Sequence, residues 1–279
     1  MRKFENTVIV TDLDGTFLGK DASLVEENLR AVKYFKENGG NFTVATGRVP
    51  QHVLEAVPMV SELVNMPAIT NNGGCLYDFA RNEVVKMYSA PFDDIKGVVE
   101  TVHREFPEAC VRSASIEYGF MTTEHALPNK YMVYDFTKNV NITKLVSDVD
   151  EWKKYDLLKI AVRCPAELVS TILDTLEKRF GETLCPVQSG STTIDVMGKG
   201  INKGAMLGEL MSDSRYAGKS LYACGDHTND LEMLALADVS VCPSGAHERV
   251  REASDLCLCS NDEGVIAALI EHIEKNQNK

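Results

Sequence analysis

Short apolar runs alternate with amphipathic, helix-like segments at both ends of this chain, and this alternation constrains the fold more than any other feature. Near the N-terminus the runs lie at Thr7–Thr11, Asn41–Ala45 and Ala68–Thr70. Near the C-terminus they lie at Ser220–Cys224, Val239–Val241 and Leu256–Leu258. Such short continuous runs are typical of buried parallel strands. We therefore predict an α/β fold whose core is a doubly wound, Rossmann-like parallel sheet.

Helices are predicted in the segments between these strands. Ser23 and Glu26 have the spacing of a capping box, and Gly39-Gly40 would end the helix that they begin. In the C-terminal part the predicted helices span Asn202–Ser212, Asn229–Leu236, Ala246–Ala253 and Glu263–Glu274.

The middle of the chain has a different pattern, in which strands and helices are joined by long connections. A polar stretch at Tyr134–Asp156 is interpreted as a loop-rich connection. This mixture favours an inserted α+β domain rather than more of the same sheet. The predicted strands are Val84–Tyr88, Ala109–Arg112 and Leu158–Arg163, and the predicted helices are Asp93–Glu105 and Ala166–Phe180.

Turn-rich segments at Asn71–Gly74 and Gln188–Gly190 suggest where this insert begins and ends. The predicted division is a core formed by residues 1–75 and 191–279 and an insert formed by residues 76–190.

Composition excludes several classes of function. The chain has 279 residues, of which 44% are hydrophobic and 25% charged, and its net charge is −12. A surface of this sign repels nucleic acid and anionic membranes. No apolar stretch approaches the roughly 20 residues of a membrane helix, and Val8–Val10 is too short for the apolar region of a signal peptide. We expect a cytoplasmic protein without a nucleic-acid or membrane partner; the oligomeric state stays open.

The eight cysteines indicate reduced thiols rather than a disulfide framework. Most have apolar neighbours, as Cys224 and Cys242 do, and such thiols are usually buried. Cys257 and Cys259 would face the same side of a predicted strand. Because no second cysteine pair or histidine follows at zinc spacing, we do not expect a zinc site.

The first segment with chemical potential is Asp12-Leu13-Asp14-Gly15-Thr16, which directly follows the strand Thr7–Thr11. In open α/β sheets ligands bind at the carboxyl ends of the strands. Two carboxylates at such an end suit a hard divalent cation, and Gly15 allows a sharp turn. The alternative is an ordinary turn after a strand, in which Asp and Gly are common.

The second segment is Thr46-Gly47-Arg48, which follows the strand Asn41–Ala45. A hydroxyl together with exposed backbone N–H groups can hold a phosphoryl oxygen. Thr46 could equally be the N-cap of a helix. Arg48 could contact a substrate or form a structural salt bridge.

The third segment places Lys203 at the start of a predicted helix, where it could reach an anion as a point charge. A solvated lysine is the alternative, and Lys199 is a rival in the same segment. The fourth segment places Asp226 directly after the strand Ser220–Cys224, and Asp230 follows at a helix start, where the helix dipole alone could explain it.

These four segments all lie at strand ends or helix starts on the same edge of the predicted sheet, so they can converge on one site. Together they supply three or four carboxylates, one hydroxyl and one lysine. This set is what in-line phosphoryl transfer with one Mg²⁺ ion requires.

In their order along the chain, the four segments resemble the haloacid dehalogenase superfamily. Gly225-Asp226-His227-Thr228-Asn229-Asp230 and the insert resemble the Cof-type branch (subclass IIB), which carries an α/β cap domain of the C2 type in this place. The resemblance implies a phosphate-monoester phosphatase that forms an aspartyl-phosphate.

The resemblance also implies a role for each matching residue. Asp12 matches the nucleophile and Asp14 the general acid, which crowding by neighbouring carboxylates would keep protonated. The implied Mg²⁺ ligands are Asp12, the backbone carbonyl of Asp14, and Asp226, with Asp230 as a supporting carboxylate. The implied substrate and phosphate contacts are Thr46, Gly47, Arg48, Lys203 and Asn229.

Sugar phosphates, nucleotides and cofactor phosphates are the substrate classes implied by the resemblance. A phosphomutase or phosphotransferase on the same scaffold is an alternative, and so is a non-catalytic binding module. The turn Cys242-Pro243 departs from the glycine- and asparagine-rich turn that is common in the family. We expect His227 to face the surface or the substrate rather than to act in catalysis.

Overall fold

A computed structural model describes residues 2–116, 118–122 and 143–277. The chain forms two compact units: residues 1–86 together with 202–279, and residues 87–201. Both limits lie later in the chain than the turn-rich segments suggested. Asn71–Gly73 forms a 3₁₀ turn inside the first unit, and Gln188–Gly190 lies within a strand of the second. The prediction of a turn is confirmed at Asn71–Gly73 but is wrong at Gln188–Gly190, and the chain passes between the two units at neither segment.

The first unit is built on a five-stranded parallel sheet. Its order is β14-β13-β12-β1-β2, so the strand nearest the N-terminus pairs with β2 on one side and with β12 on the other. Apolar side chains make the central strands almost wholly buried, as in β1. The strands are β1 (Thr7–Thr11), β2 (Asn41–Val44), β12 (Ser220–Cys224), β13 (Val239–Cys242) and β14 (Leu256–Cys257).

A smaller sheet of three strands continues the first unit beyond β2. Ala45 and Ile69 form an isolated parallel bridge, which places the first strand of this sheet beside the end of β2. The strands are β3 (Ala68–Thr70), β4 (Cys75–Asp78) and β5 (Glu83–Met87), of which β4 was not predicted.

The helices of the first unit pack in two groups. The first helix and the last one contact each other, and the first three of the four helices after residue 202 form the second group. The helices are α1 (Glu26–Glu37), α2 (Pro50–Ala56), α3 (Val60–Leu63), α6 (Lys203–Met211), α7 (Leu231–Leu236), α8 (Glu248–Ala253) and α9 (Val265–Gln277).

The predicted helix cap at Ser23 is wrong, whereas Asn202 does cap a helix. Val25, not Ser23, precedes the first turn of α1, and no side chain caps this helix. Ser23 instead accepts a hydrogen bond from the Gly19 N–H through its carbonyl. Asn202 caps α6, because its side-chain oxygen accepts the N–H of Ala205 at 2.7 Å.

The second unit is an α+β arrangement around a six-stranded sheet in the order β10-β11-β9-β6-β7-β8. Two amphipathic helices, α4 (Phe92–Glu105) and α5 (Val169–Phe180), share an apolar core with this sheet, and Trp152 is fully buried in that core. The strands are β6 (Cys110–Ala114), β7 (Gly119–Thr122), β8 (Thr143–Val146), β9 (Lys159–Arg163), β10 (Leu184–Gly190) and β11 (Thr193–Gly198).

The predicted loop at Tyr134–Asp156 is wrong for the part that the structure describes. Strand β8 and a 3₁₀ helix at Val149–Lys154 lie there, and the side chain of Asp148 caps the latter. Residues 134–142 lie outside the described residues. The polar side chains that suggested a loop stand largely on exposed positions of these short elements.

The predicted fold class is confirmed: a doubly wound α/β core interrupted by an inserted α+β unit. Over the described ranges, every helix is too short or too polar to cross a membrane. All eight cysteines are free thiols, but Cys257 is exposed and Cys185 and Cys259 are partly exposed, so the expectation of burial fails for these three.

Candidate active site

The candidate site lies at the carboxyl ends of β1 and β12. From β1 the chain crosses to β2 on one side, whereas β12 lies on the other side, so the strand order changes direction here. Ligands of open α/β sheets bind at such a switch point. Asp12 directly follows β1 and Asp226 follows β12 after Gly225, and the Asp12 N–H donates to the Cys224 carbonyl at 2.8 Å.

Lys203 connects the acids of this edge. Its ammonium lies 3.0 Å from Oδ1 of Asp12 and 2.6 Å from Oδ1 of Asp230. The lysine and Asp230 side chains are fully buried, and that of Asp12 is 8% exposed. A buried ion is stable only when it is paired and hydrogen-bonded, so these three groups depend on one another. Lys199, the rival lysine, instead donates to the Gly181 carbonyl within the second unit.

Asp230 also shapes the loop that carries Asp226. Its second oxygen, Oδ2, accepts the backbone N–H groups of Asp226 at 3.0 Å and of His227 at 3.1 Å. Gly225 leaves room for this carboxyl group, since a Cβ at that position would lie 2.5 Å from Cβ and Cγ of Asp230. With both oxygens engaged, Asp230 contacts the loop and the lysine at once.

Asp226 is held from the turn that follows β1. The Thr16 hydroxyl donates to its Oδ1 at 2.8 Å. Gly15 has a φ of 77°, and a Cβ there would lie 2.5 Å from Oδ2 of Asp226. Only glycine therefore allows this turn to pass so close to the carboxylate.

The carboxylates carry more negative charge than Lys203 compensates. Burial raises the pKa of Asp12 well above its usual range, although Lys203 acts in the opposite direction. Burial, together with the charge of Asp230, raises the pKa of Asp226 to about 6. Burial alone would lower the pKa of Lys203, but Asp12 and Asp230 outweigh it and the net shift is upward. A further cation among these acids would stabilise their charged forms.

The donor atoms fit a hard divalent cation. One oxygen from each of Asp12, Asp226 and Asp230 lies within 4.8 Å of the others. Mg²⁺ prefers oxygen ligands and is usually held by one or two carboxylates while it keeps several waters. Since Asp230 already uses both oxygens, Asp12 and Asp226 are the side chains best placed to hold the ion.

Asp14 does not join the cluster. Its side chain is 53% exposed, and its two oxygens accept the Arg48 guanidinium, from Nε at 2.7 Å and from Nη2 at 2.5 Å. The hydrogen bond with Asp14 raises the pKa of Arg48. A bidentate guanidinium is a charge-assisted partner of a carboxylate, so Asp14 pairs with Arg48 and lies apart from the carboxylates that were expected to crowd it. Of the two roles considered for Arg48, the structure contains the salt bridge.

Thr46 is fully buried at the end of β2, beside the end of β1. It is not a helix N-cap, since α2 begins later, at Pro50. Its Oγ1 accepts the Arg48 N–H at 3.2 Å across Gly47. The structure therefore places Thr46, Gly47 and Arg48 together, at the same sheet edge as Asp12.

Sequence reasoning missed the contribution of Asn71 and Asn72, which it treated as part of a domain boundary. Both are buried and have positive φ values, of 53° and 54°. Asn229 donates to Oδ1 of Asn72 at 3.1 Å, which brings the turn after β3 to the loop after β12. Both side-chain polar atoms of Asn71 are buried without a partner among the described residues. The signal was present, because these asparagines directly follow a buried strand.

Comparison with known proteins decides the family. A profile described as haloacid dehalogenase-like hydrolase matches residues 9–270. The chain belongs to this family. It is 24% identical over 270 residues to 5-amino-6-(5-phospho-D-ribitylamino)uracil phosphatase YcsE of Bacillus subtilis, covering 95% of this chain and 94% of that protein. It is 27% identical over 228 residues to the HMP-PP phosphatase of Serratia proteamaculans, covering 80% and 78%.

A solved structure agrees with this assignment. The sugar phosphatase BT4131, of subclass IIB of the same superfamily, superposes with a TM-score of 0.77 at 20% identity, covering 95% of this chain and 98% of that one. The predicted resemblance to the Cof-type branch and the predicted enzyme class, a phosphatase of the haloacid dehalogenase type, are confirmed.

In this haloacid dehalogenase-like hydrolase, two histidines flank the Asp226 loop. The rings of His227 and His247 meet edge to face with centroids 5.4 Å apart, and the His247 N–H donates to the Asp226 carbonyl at 2.8 Å. Burial lowers the pKa of His227, as does the charge of His247. Pro243 begins the turn that carries His247, so this unusual turn supports the backbone of Asp226.

Proposed function

We propose that this enzyme hydrolyses phosphate monoesters of small metabolites with Mg²⁺, through covalent attack by Asp12. The observation that carries the proposal is the buried ion pair of Asp12 and Lys203, which Asp230 holds from the other side. A phosphatase of this kind needs a carboxylate fixed beside a cation in a dry site, and this arrangement provides it.

The attack begins with two like charges. The Asp12 carboxylate and a phosphate monoester repel each other, and the ammonium of Lys203, 3.0 Å from Oδ1, offsets this repulsion. The same ammonium stabilises the charge that spreads over the equatorial oxygens in the transition state. Thr46 and the backbone beyond it, at the neighbouring strand end, are placed to hold a second phosphoryl oxygen.

Asp12, Asp226 and the main-chain carbonyl of Asp14 would hold the metal ion. When bound, Mg²⁺ supplies positive charge that neutralises the phosphoryl oxygens and orients them for in-line attack. Asp230 keeps the Asp226 loop in place through the backbone amides of Asp226 and His227.

Asp14 carries the proton in this proposal. It protonates the leaving oxygen when the aspartyl-phosphate forms, and it then accepts a proton from the water that hydrolyses this intermediate. Because the guanidinium of Arg48 stabilises the charged carboxylate, Asp14 must leave this ion pair before it donates. The Asp14 side chain is 53% exposed and that of Arg48 is 24% exposed, so water reaches this pair and it opens at a lower cost than a fully buried pair.

The relatives suggest which substrates to try first. One is named for a phosphorylated ribitylaminouracil and another is a sugar phosphatase. We therefore propose a phosphorylated sugar, or a metabolite that carries a phosphorylated polyol chain, as the substrate class. The negative net charge of the whole chain agrees with a small ligand rather than a polyanion.

The decisive experiment measures phosphate release from a panel of phosphorylated sugars, nucleotides and cofactors, with Mg²⁺ or with a chelator. We expect turnover of several members, which the chelator abolishes. Asp12→Asn should be inactive throughout, whereas Asp174→Asn, at an exposed position of α5, should match the wild type. Interconversion of two sugar phosphates without free phosphate would instead establish a mutase, and no turnover on any substrate would leave a binding module.

Binding of Mg²⁺ can also be measured without turnover, through its effect on the stability of the folded protein. Binding of Mg²⁺ to the folded state raises the free energy of unfolding, by about 2.7 kcal/mol at a hundredfold excess over Kd. We expect Mg²⁺ to raise the melting temperature of the wild type. It should do so much less in Asp226→Asn, and an equal increase in this variant would refute the assigned ligand.

A further inference from the structure

The thiols of Cys242 and Cys257 form a pair that the phosphatase chemistry does not use. They are register partners on the neighbouring parallel strands β13 and β14. Partners in register on parallel strands project to the same face of the sheet, and neighbouring strands lie about 4.8 Å apart. This spacing is within the roughly 4.4–6.8 Å between Cα atoms that a disulfide requires.

The two cysteines differ in access to solvent. Cys242 is fully buried, whereas Cys257 is exposed on the edge strand of the sheet. Burial raises the pKa of Cys242, although Arg251 and Ser254 favour its thiolate. A small oxidant in solution can therefore reach Cys257 but not Cys242. An exposed thiol with a buried thiol behind it is an arrangement in which the second can resolve a bond formed on the first.

We propose that Cys242 and Cys257 form a reversible disulfide by exchange with a low-molecular-weight disulfide. The thiolate of Cys257 attacks one sulfur of the small disulfide, forms a mixed disulfide and releases one small thiol. The thiolate of Cys242 then attacks Sγ of Cys257 and releases the second small thiol. The two cysteines are oxidised and the small disulfide is reduced to two thiols, so atoms and electrons balance.

The surrounding backbone favours this pair over its neighbours. Strand β14 is only two residues long, and the Leu258 N–H donates to the Cys242 carbonyl, so the two strands meet directly at these cysteines. Cys259 lies beyond the end of β14. The register partner of Cys224 on β13 is Val241, not Cys242. Cys224 and Cys242 are both fully buried, so an oxidant in solution cannot reach either thiol.

The bond would lie behind the carboxylate cluster. The Gly225 N–H donates to the Val241 carbonyl at 3.1 Å, next to Cys242, and the turn after Cys242 leads to His247 and the Asp226 carbonyl. A covalent link between β13 and β14 would therefore join the edge of the sheet to the strand that supports the Asp226 loop. The proposal itself concerns the thiols and does not depend on the proposed phosphatase activity.

The test equilibrates the full-length folded protein with graded ratios of oxidised to reduced glutathione, then quenches with N-ethylmaleimide under denaturing conditions. The reduced chain should take up eight maleimides. The oxidised wild type should take up two fewer, should carry no glutathione, and should return to the reduced mass with dithiothreitol. Fragmentation of non-reduced peptides should locate the link between Cys242 and Cys257.

Two serine variants provide the matched comparison. Cys257→Ser, at an exposed position, lacks one of the two sulfurs and should therefore form no internal disulfide at any glutathione ratio. Cys259→Ser, two residues further on, should behave as the wild type. Cys242→Ser, if circular dichroism shows it folded, should instead accumulate glutathione on Cys257.

Four results would overturn the proposal. The wild type could keep all its thiols at every ratio, or stop at a glutathione adduct on Cys257. The link could also be found between Cys224 and Cys242 or between Cys257 and Cys259. Equal loss of the disulfide in the Cys257→Ser and Cys259→Ser variants would likewise exclude the assigned pair.

Discussion

Asp12 and Asp14 stand two residues apart in one turn, yet their surroundings are opposite. Asp12 is almost completely buried and lies 3.0 Å from the ammonium of a fully buried lysine. Asp14 is about half exposed and holds the guanidinium of Arg48 with both oxygens. One segment of the chain therefore presents one carboxylate to the protein interior and another to solvent.

This contrast in burial explains how one turn can hold one carboxylate in place and leave the other able to move. A buried ion pair cannot open without leaving an uncompensated charge, which typically costs 3–5 kcal/mol. An exposed ion pair contributes only about 0–1 kcal/mol, so it opens readily. Asp12 is therefore held in place, which suits the nucleophile that we propose, whereas Asp14 can move, which suits the proton carrier that we propose.

The largest expected effect separates the two acids directly. Asp12→Asn removes the attacking carboxylate and should lower kcat at least about 10³-fold. Asp14→Asn removes only proton transfer and should lower kcat by about 10²- to 10⁴-fold, with part of this loss recovered for a substrate whose leaving group needs no protonation, such as an aryl phosphate. Turnover of an aryl phosphate by both variants is the measurement.

Equal recovery in both variants would contradict the division of roles. So would Asp12→Asn with more than about a hundredth of the wild-type rate, because Asp12 could then not be the nucleophile. Circular dichroism and the melting temperature should be recorded for both variants, so that loss of folding is distinguished from loss of chemistry.

The second prediction compares the two cations. Lys203→Met leaves Asp12 and Asp230 buried without their partner and should lower the free energy of unfolding by about 3–5 kcal/mol. It should also lower kcat by about 10²- to 10³-fold, since the charge beside the nucleophile is lost. Arg48→Met, the matched control, removes an exposed pair and should cost about 1 kcal/mol or less.

Chemical denaturation of both variants with and without Mg²⁺ gives the comparison. If the two substitutions cost the same free energy of unfolding, the contrast between a buried and an exposed pair would be wrong. Protonation of the carboxylates would lessen the cost of Lys203→Met. Burial already raises the pKa of Asp12 well above its usual range, so Asp12 takes up a proton more readily as the pH falls. The loss of stability should therefore be larger at pH 8 than at pH 5.

Much of this site was predictable because each segment follows a strand whose apolar run is easily recognised. The strand ends at Thr11 and Cys224 were predicted as the structure has them, and this alone brought Asp12 and Asp226 together. Lys203 was recognised as a candidate because it opens a predicted helix at the same sheet edge, although the sequence left open whether its side chain is buried or solvated. Residue type and sheet topology are sufficient for such groups.

What could not be predicted depends on side-chain partners rather than on strand position. Crowding suggested a protonated Asp14, but the orientation that gives both its oxygens to Arg48 is decided by rotamers and solvent access. The amide of Asn72 was missed because turn-forming residues look alike whether they end a domain or line a site. In the insert, strands β7, β8, β10 and β11 were not predicted, and β7 and β8 were missed because these short, mixed segments carry no clear period of two.

The third prediction concerns the turn that separates the two acids. Gly15→Ala adds a Cβ 2.5 Å from Oδ2 of Asp226 at a φ of 77°. Gly218→Ala has nearly the same φ, 79°, but its Cβ would meet no atom within 4 Å. Backbone strain should destabilise each variant by roughly 1–2 kcal/mol. The difference in behaviour between the two variants therefore isolates the contact with Asp226.

We expect Gly15→Ala to lower kcat about a hundredfold, because displacement of a group by about 1 Å at a reacting centre has this effect. Gly218→Ala should keep its kcat while losing stability. The Mg²⁺ dependence of both variants is the measurement, since only Gly15→Ala should need more Mg²⁺. Equal kcat values for the two variants would show that the close approach of Gly15 to Asp226 has no catalytic importance.

The smallest expected effect tests whether Arg48 positions Asp14. Arg48→Lys keeps the charge but loses the two parallel hydrogen bonds, which a guanidinium forms and an ammonium does not. We expect kcat to fall by about tenfold with little change in KM, because the lost contact orients the proton carrier rather than the substrate. An aryl phosphate should reduce this difference, since its leaving group needs little protonation. If KM rises instead while kcat is unchanged for both substrates, Arg48 binds the substrate directly, and the mobile ion pair with Asp14 has no role in proton transfer.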